Sequence, residues 1–331
     1  MPLLKYIVKR LLLGLLILFG TSVIIYFLVR SMPADYIDIN TAAQVSQGKL
    51  SAEDVARMKE LYGIGDNSLW GIIGSYFTWL GNLFKGDLGI SFIYGRSVAE
   101  VIRQYMWVSF GIAFVALIFQ IIIAIPLGIY AATKQYSVSD YSVTVLAMMG
   151  ISLPSFFFAA LLLRVFSVGL GWFPLVGLRS AETMQSGFPA FLDLAHHLVL
   201  PIITLVVLSI GGLMRYTRTN MLEVLNSDYI RTARAKGLSE KTVIYKHAFR
   251  NTLIPIVTML GGVLPTLFGG AMIVESVFAI NGIGFIAYKA VLQADVPFVM
   301  GYNMFLAVLT VLGILISDIL YMVVDPRVKL K

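Results

Sequence analysis

Residues 215–251 form a strongly charged segment in a chain that is largely apolar. The segment holds eight Lys and Arg residues against three acids, which gives it a formal charge of +5 with histidine neutral. Such residues can recognise the surface of a partner by charge and shape. We therefore interpret the segment as a docking element. Its basic residues are Arg215, Arg218, Arg231, Arg234, Lys236, Lys241, Lys246 and Arg250, and its acids are Glu223, Asp228 and Glu240.

The middle of this segment has the pattern of a short helix that ends at a glycine. Ser227-Asp228 has the residue types that cap a helix amino terminus, and the residues that follow predict a helix from Tyr229 to Lys236. Gly237 suits the left-handed backbone conformation that closes a helix. We expect an apolar edge formed by Tyr229, Ala233 and Leu238.

A second helix is predicted directly after this glycine. Ser239 caps it, and Glu240 lies in its first turn, where the helix dipole favours an acid. A short helix held at a glycine elbow protrudes, as docking to a partner requires. The alternative is an amphipathic element that lies on anionic lipid, and such elements tend to be longer and continuous.

The sequence contains no catalytic signature. It has no G-x-x-x-x-G-K-[ST] phosphate loop, no H-E-x-x-H pair and no cysteine that could form a disulfide or a thiolate metal site. We expect His196 and His197 to be solvated and His247 to serve packing or docking. The sequence therefore disfavours a membrane-embedded enzyme, and we expect the chain itself to bind neither ATP nor a metal ion.

The elements that carry the docking segment are predicted to be membrane-spanning helices. Apolar residues make up 58% of the chain and charged residues 13%, and runs of about 20 apolar residues are long enough to cross a bilayer core as helix. A spanning barrel would show short alternating segments instead. The net charge of +7 is expected of the cytoplasmic loops of a membrane protein, so it does not indicate nucleic-acid binding. The fold class is therefore an all-α polytopic membrane protein, with spans predicted at 11–29, 106–131, 143–168, 198–214, 252–279 and 302–324.

The distribution of basic residues in the short loops predicts the orientation of these spans. With the amino terminus inside, the inner segments hold three, one, eight and three basic residues, whereas each short outer loop holds one, Arg179 or Lys289. The long segment 30–105 is not informative, because long segments translocate largely regardless of charge. Both termini and the segment 215–251 are thus predicted to be cytoplasmic.

The segment 30–105 is predicted to be a structured extracytoplasmic part of the chain. The pattern from Ser51 to Asp54 starts a helix that Gly63 ends, and the capping box from Ser97 to Glu100 starts a helix that continues into the second span. Two interpretations remain open, a surface cap and a role in receiving substrate. The aromatic residues of this segment suit the lipid–water interface, and they are Trp70, Phe77, Trp79 and Phe84.

Few residues that could do chemistry lie within the predicted spans. Ionisable groups inside a membrane are functional candidates, although near a span end they can reach water or cap a helix. The three such residues are Arg164 and Glu275 toward the outer ends and Asp318 toward an inner end. Prolines and glycine pairs in the spans allow kinks and close helix approach. The prolines are Pro126, Pro154, Pro201, Pro255 and Pro265, and the pairs are Gly211-Gly212, Gly261-Gly262 and Gly269-Gly270.

At the docking segment the chain resembles a known family. The sequence DYIRTARAKGLSEKTVIYKHAFRN at 228–251 is similar to the signature loop of permease subunits of bacterial ABC importers, in the version of the dipeptide/oligopeptide group. Residues 86–91, 171–174 and 275–284 resemble further motifs of that group. In the last of these, Asn281 stands where the group usually has a proline. The exit from the first span, Arg30 to Pro33, is similar as well.

The resemblance implies an architecture and a set of partners. Segments 1–29, 30–105 and 106–331 would be the first span with its tail, the extracytoplasmic segment and the permease core. A second similar permease, two ATPase subunits that bind ATP and Mg²⁺, and an external substrate-binding protein would complete an importer in the bacterial plasma membrane. The helix 228–236 would be its coupling helix on an ATPase subunit. The implied coupling residues are Asp228, Tyr229, Arg231, Thr232, Ala233, Arg234, Ala235, Lys236 and Gly237.

The main alternative is a self-sufficient secondary transporter or channel. Such a protein is expected to show inverted repeats or coupling-ion carboxylates in mid-span. Neither is visible in the sequence, so the resemblance to an ABC permease is the favoured interpretation. It leaves the substrate open among dipeptides, longer peptides, nickel complexes, glutathione and oligosaccharides.

Overall fold

The computed structural model describes residues 2–30, 36–48, 51–61, 68–180 and 186–324, and these residues are almost entirely helical. Within these ranges there is no β-strand, and Ile90 and Ser97 form an isolated antiparallel bridge. The helices are numbered in chain order. They are α1 (Pro2–Arg30), α2 (Tyr36–Ser46), α3 (Ala52–Leu61), α4 (Leu69–Phe84), α5 (Val98–Thr133), α6 (Val138–Ser152), α7 (Ser155–Leu162), α8 (Phe188–Leu225), α9 (Asp228–Ala235), α10 (Glu240–Thr242), α11 (Phe249–Gly261), α12 (Leu264–Phe268), α13 (Met272–Val277), α14 (Ile283–Leu292) and α15 (Val296–Val324).

Four of these helices are individually long and apolar enough to cross a membrane, namely α1, α5, α8 and α15. Two further pairs pass the same test together but are bent. The first joins α6 to Ser155–Gly169 with a bend of 101°, and the second joins Glu240–Gly261 to Leu264–Val277 with a bend of 47°. When each bent pair counts as one span, the number is six. The predicted all-α polytopic class is thereby confirmed.

The long helices pack as a bundle with two distinct ends. α5 lies against α8, α6 packs on α8, and both α1 and α11 pack on α15. One end carries the turn between α5 and α6 and the residues from Asn226 to Ser239, and we call it the basic end. The other end carries residues 85–97 and 278–295, and we call it the opposite end.

The fourth predicted span, 198–214, is much too short. α8 begins at Phe188 and continues to Leu225, so the first eleven residues of the predicted loop are helical. Hydropathy shows only where the apolar side chains end. The backbone hydrogen bonds of the helix continue through Arg215 and its polar neighbours, so the helix is longer than the apolar run. Part of the predicted docking segment is therefore the rigid end of a 38-residue helix.

Two of the predicted spans are broken, and a proline explains one of the breaks. The third predicted span, 143–168, breaks at Leu153-Pro154, and its second part ends as a π-helical stretch, Leu163–Gly169. In the fifth, the chain is helical from Glu240 to Gly261, with a π-helical stretch at Val243–Ala248, and bends before Pro265. The residue before a proline is disfavoured in α-helical geometry, which explains the break at Leu153. Pro126, Pro201 and Pro255 lie inside helices.

One glycine of a predicted pair permits close contact between helices, as expected. A Cβ on Gly211 would lie 2.3 Å from the carbonyl oxygen of Ala147 on α6, whereas Gly212 has open space. Gly261 likewise packs on Ser317 of α15, because a Cβ added to Gly261 would lie 2.5 Å from the Cα of Ser317. Only one residue of each of these two pairs is needed for the packing.

The segment between the first two long helices is structured, as predicted. Asp54 accepts hydrogen bonds from the N–H and the hydroxyl of Ser51, and these bonds hold the pKa of Asp54 below its ordinary value. At α5 the helix starts where predicted, but the Ser97 side chain forms no capping bond. The predicted stop at Gly63 lies outside the described residues, as does most of the motif from Arg30 to Pro33.

Candidate partner-docking site

A short helix protrudes at the basic end, where the sequence predicted one. α9 covers Asp228–Ala235, Lys236 is its carboxyl-terminal cap, and Gly237 has φ +76°. The N–H of Gly237 donates to the carbonyl oxygen of Arg234 at 2.9 Å, which closes the last turn. Because side chains with a Cβ rarely adopt this backbone conformation, the glycine determines that the chain turns here.

The cap at the start of α9 differs from the prediction. The hydroxyl of Ser227 donates back to the carbonyl oxygen of Val224 at 2.6 Å and does not cap α9. The cap predicted for the next helix is present, because Ser239 Oγ accepts from the N–H of Thr242. Ser227 therefore bonds to the last turn of α8, while Ser239 caps the helix that begins at Glu240.

The buried face of α9 is not the apolar edge that the sequence predicted. Ile230 is fully buried and Ala233 is 7% exposed, whereas Tyr229 and Leu238 are exposed. Ile230 and Ala233 pack in one apolar cluster that joins four elements, and its other buried members are Ile129, Ala132, Met221, Val243 and Ala248. The i, i+3 spacing of Ile230 and Ala233 is the signal that could have identified this face. Ala233 therefore seats the helix instead of facing outward.

The outward face of α9 is polar and basic. Eight of the nine residues implied by the resemblance are exposed, and Ala233 is the exception. Arg231 interacts with Asp228 at 3.5 Å, and both side chains remain largely in solvent. The exposed residues are Asp228, Tyr229, Arg231, Thr232, Arg234, Ala235, Lys236 and Gly237. Such a knob, which is positively charged and rigidly seated, is suited to insertion into a complementary groove.

Polar contacts stiffen the elbow around Gly237. Arg234 Nε lies 2.8 Å from Glu240 Oε1 and therefore bridges α9 to the first turn of the following helix. Asn251 Nδ2 donates to the hydroxyl of Tyr229 at 3.0 Å, which ties the outer face of α9 to α11. Both pairs are exposed, so each is worth about 1 kcal/mol or less. Their role is to orient the helix.

A cavity of about 460 Å³ lies beside this elbow. Polar side chains on its walls include Lys134, Arg234 and Glu240, and apolar walls come from Leu222 and Ile244. The turn that joins α5 to α6 therefore belongs to the same surface as α9.

An ion pair anchors this surface to the bundle. Arg218 on α8 donates two hydrogen bonds to Asp140 on α6, at 2.9 and 2.8 Å. Asp140 is 3% exposed at its side chain, and it also accepts the N–H of Tyr136. The bidentate geometry fixes the two helices against each other. Sequence reasoning grouped Arg218 with the docking residues and missed its buried partner.

The histidines are structural. His197 was expected to be solvated, but it is buried and its Nδ1 contacts the carbonyl oxygen of Asp193 at 2.8 Å. His196 is exposed and contacts the carbonyl oxygen of Trp172 at 2.7 Å. In the described part of the chain, no group of three or more His, Asp or Glu residues could hold a metal ion.

Two buried carboxylates lie at the opposite end. Glu275 is 2% exposed and accepts hydrogen bonds from the hydroxyl of Ser109 and from the N–H groups of Ala271 and Phe285. Asp295, which the sequence analysis did not single out, is fully buried. It accepts from the hydroxyl of Ser91 and from the N–H groups of Phe92, Ile93 and Phe298. Asp295 thus ties the motif at 86–91 to the start of α15.

The other two charges of the predicted spans have simpler surroundings. Arg164 is exposed on the π-helical stretch after α7. Asp318 on α15 lies 3.0 Å from Arg10 Nε on α1, near the basic end of both helices.

Comparison with known proteins assigns this architecture to a family. Residues 124–330 match the family model described as the binding-protein-dependent transport system inner membrane component. The chain belongs to this family. It is a permease of the ABC importer class, and the permease subunit is non-catalytic because ATP hydrolysis resides in a separate subunit. The recognition made from the loop at 228–251 is confirmed.

Relatives of this permease match it over nearly its whole length. The oligopeptide transport system permease protein AppB of Bacillus subtilis is 38% identical over 325 residues, which cover 98% of this chain and 99% of the relative. OppB of Haemophilus influenzae, of the same description, is 34% identical, with 98% and 99% covered. A putative peptide transport system permease protein of Brucella abortus is 36% identical, with 98% of each covered.

A solved structure shares the fold. It is titled as inward-facing conformations of the MetNI methionine ABC transporter, and a chain of it superposes with a TM-score of 0.51 at 18% identity. The match covers 69% of this permease and 97% of that chain.

Proposed function

We propose that this permease forms half of the translocation pathway of an ATP-driven peptide importer in a bacterial plasma membrane. A second, similar permease would form the other half, and an extracytoplasmic binding protein would deliver the peptide. The proposal for peptides is supported by the names of relatives that are 34–38% identical over nearly full length.

The geometry of α9 is the main support for a coupling mechanism. It is a basic helix of eight residues, buried on one side through Ile230 and Ala233 and exposed on the other. We infer that it is the coupling helix, seated in a groove of one of two ATPase subunits that bind ATP and Mg²⁺. Closure of the ATPases would push α9, and the partly buried Arg218–Asp140 pair would pass that movement to α8 and α6.

The same proposal includes the orientation. The basic end would be cytoplasmic, as the excess of Lys and Arg in its short segments supports. The start of α1, near Arg10, and the end of α15, near Asp318, both lie at the basic end. The amino and carboxyl termini would therefore lie in the cytoplasm.

A reconstituted complex of the permease with its native partners tests this proposal. In proteoliposomes we expect uptake of radiolabelled tri-alanine only with the binding protein and with ATP and Mg²⁺. A photo-reactive phenylalanine analogue at position 229 should cross-link an ATPase subunit, while the same group at Phe156, which is also exposed but lies on α7 away from the basic end, should not.

The possible outcomes separate the parts of the proposal. Uptake by the permease alone without ATP would contradict the ABC mechanism and support a secondary transporter or channel. Cross-linking at 229 without uptake of tri-alanine would leave the coupling role standing and contradict the peptide substrate. Equal cross-linking at positions 229 and 156 would contradict the assignment of α9.

A further inference from the structure

The carboxylate of Glu275 connects three elements at the opposite end of the bundle. Its Oε1 accepts the hydroxyl of Ser109 on α5 at 2.6 Å and the N–H of Ala271 at 3.0 Å, beside the break between α12 and α13. Its Oε2 accepts the N–H of Phe285 in the first turn of α14 at 2.8 Å. Ser109 Oγ in turn accepts the N–H of Ile283 at 2.8 Å. The side chain is thus the common acceptor of the second span, the broken fifth span and α14.

The donors around Glu275 suit a negatively charged carboxylate. All three groups that bond it are N–H or O–H donors, and an ionised carboxylate is an acceptor only. None of the ion pairs found among the described residues involves Glu275. The amino terminus of the ten-residue helix α14 contributes further positive partial charge. A buried charge without a cation is thus stabilised by oriented dipoles.

Three glycines enclose the carboxylate and leave no room beside it. A Cβ on Gly282 would lie 2.4 Å from the carboxyl carbon of Glu275, and one on Gly270 or Gly284 would lie 3.0 or 3.1 Å from its oxygens. This packing gives a physical reason for glycine at positions 282 and 284 beside the glutamate. Asn281, which replaces the proline of the resembled pattern, is exposed and lies outside this cage.

We propose that Glu275 is a positioning residue whose negative charge locks α5, the break of the fifth span and α14 into one rigid unit. The inference rests on the proposed function, in which the opposite end faces the binding protein and receives the substrate. Through Gly177, whose N–H donates to the carbonyl oxygen of Phe278 at 2.9 Å, the unit also holds the turn after the third span. The charge therefore sets the shape of the entrance without contacting the substrate.

The substitution E275Q separates charge from size. Each carboxylate oxygen of Glu275 accepts at least one backbone N–H, from Ala271 on one side and from Phe285 on the other. A glutamine of the same shape must place its NH₂ group against one of these N–H donors in either orientation. E275D keeps the charge but is shorter by one methylene. The control is E100Q, because Glu100 is an exposed glutamate at the same end of the bundle.

Uptake in the reconstituted complex gives the first readout. We expect E275Q to lower the maximal rate of tri-alanine uptake at least tenfold at an unchanged half-saturating concentration of binding protein. E275D should retain more of the rate than E275Q, and E100Q should match the unmodified permease. E275Q activity equal to or above that of E275D would overturn the requirement for charge.

A distance measurement gives a readout that does not depend on transport. The sequence has no cysteine, so spin labels can be placed on cysteines at the exposed positions Arg103 and Asn281 alone. We expect one narrow distance population, the same in the nucleotide-free complex and in the complex trapped with ATP and vanadate, and a broad one in E275Q. A distance that changes between the two states, or stays narrow in E275Q, would overturn the proposal.

A second variant, S109A, and a readout independent of uptake allow the role of Glu275 to be tested even if E275Q is not produced or peptide is not transported. If E275Q does not accumulate in the membrane, S109A replaces it, since it removes one donor to Glu275 and the acceptor of the Ile283 N–H. S109A should broaden the distance population, and an unchanged width would contradict the locked unit. If the unmodified complex takes up no tri-alanine, the proposed peptide function fails, while the spin-label distances still decide the role of Glu275.

Discussion

Gly237 shows how a residue without a side chain determines the position of a whole docking helix. A Cβ at this position would meet nothing within 4 Å, so space does not explain the glycine. Its φ of +76° does, because this conformation costs other L-residues roughly 1–2 kcal/mol, with asparagine the best tolerated. The requirement is thus one of backbone conformation.

We therefore predict that G237V uncouples ATP hydrolysis from uptake, while G237N remains close to normal. Valine is β-branched and strains the left-handed position, which should displace α9 from its seat. The check is the ratio of peptide imported to ATP hydrolysed in proteoliposomes, with the amount of assembled complex measured in parallel. Full coupling in G237V would refute the role of the turn.

Buried carboxylates give the second lesson at the scale of residues. Glu275 and Asp295 both lie in the interior, and each accepts a hydroxyl hydrogen bond from a serine far away in the chain, Ser109 or Ser91. An acid near the end of a predicted span could also have reached water. Whether such an acid is buried or reaches water depends on the hydrogen-bond donors that the fold places around its carboxylate. These donors cannot be predicted from the local sequence.

At the scale of elements, α9 combines a buried face with an exposed face, to which we assign the docking role. Ile230 and Ala233 pack into the cluster that joins α5, α8 and the start of the fifth span. Tyr229 and Arg231 point away from it and are exposed. Neighbouring residues on one short helix are therefore expected to fail in different ways when they are changed.

We predict that I230A destabilises the permease and that Y229A does not. Removing most of a fully buried isoleucine side chain leaves a cavity and costs about 2–5 kcal/mol. Y229A removes an exposed ring and one exposed hydrogen bond, so it should weaken binding of the ATPase subunit while thermal stability stays near normal. Thermal unfolding of the purified permease and co-purification of the ATPase distinguish the two. Equal loss of stability in both variants would contradict the two-faced helix.

At the scale of the whole molecule, the candidate coupling residues and the buried carboxylates lie at opposite ends of the bundle. α9 and the Arg218–Asp140 pair lie at the basic end, and the Glu275 and Asp295 clusters lie at the other. Rigid helices such as α5, with 36 residues, connect them. A push on α9 can therefore be transmitted across the bilayer only by movement of whole spans.

The orientation predicts which end a membrane-impermeant reagent can reach. With no native cysteine in the sequence, single cysteines can be placed at Trp70, which is 84% exposed in α4, and at Gln135 in the turn after α5. In intact cells we expect an impermeant maleimide to label the cysteine at 70 and not the one at 135, and to label both after permeabilisation. Labelling of position 135 in intact cells would reverse the orientation.

The sequence by itself determined the class, the number of apolar crossings, the glycine elbow and the family. These properties depend on composition and on spacing within a few turns, where local physics dominates. The short helix that Gly237 closes can be predicted from the sequence, because the glycine and the basic residues before it lie within one short stretch.

Which residues face inward, and where the long helices end, depends on tertiary packing. The burial of Ile230 and Ala233 in place of Tyr229, the continuation of α8 to Leu225 and the pairing of Asp140 with Arg218 each depend on partners far away in the chain. The Glu275 cluster is the clearest case, since its donor Ser109 lies 166 residues earlier. Such contacts form only when the spans pack, so no local pattern encodes them.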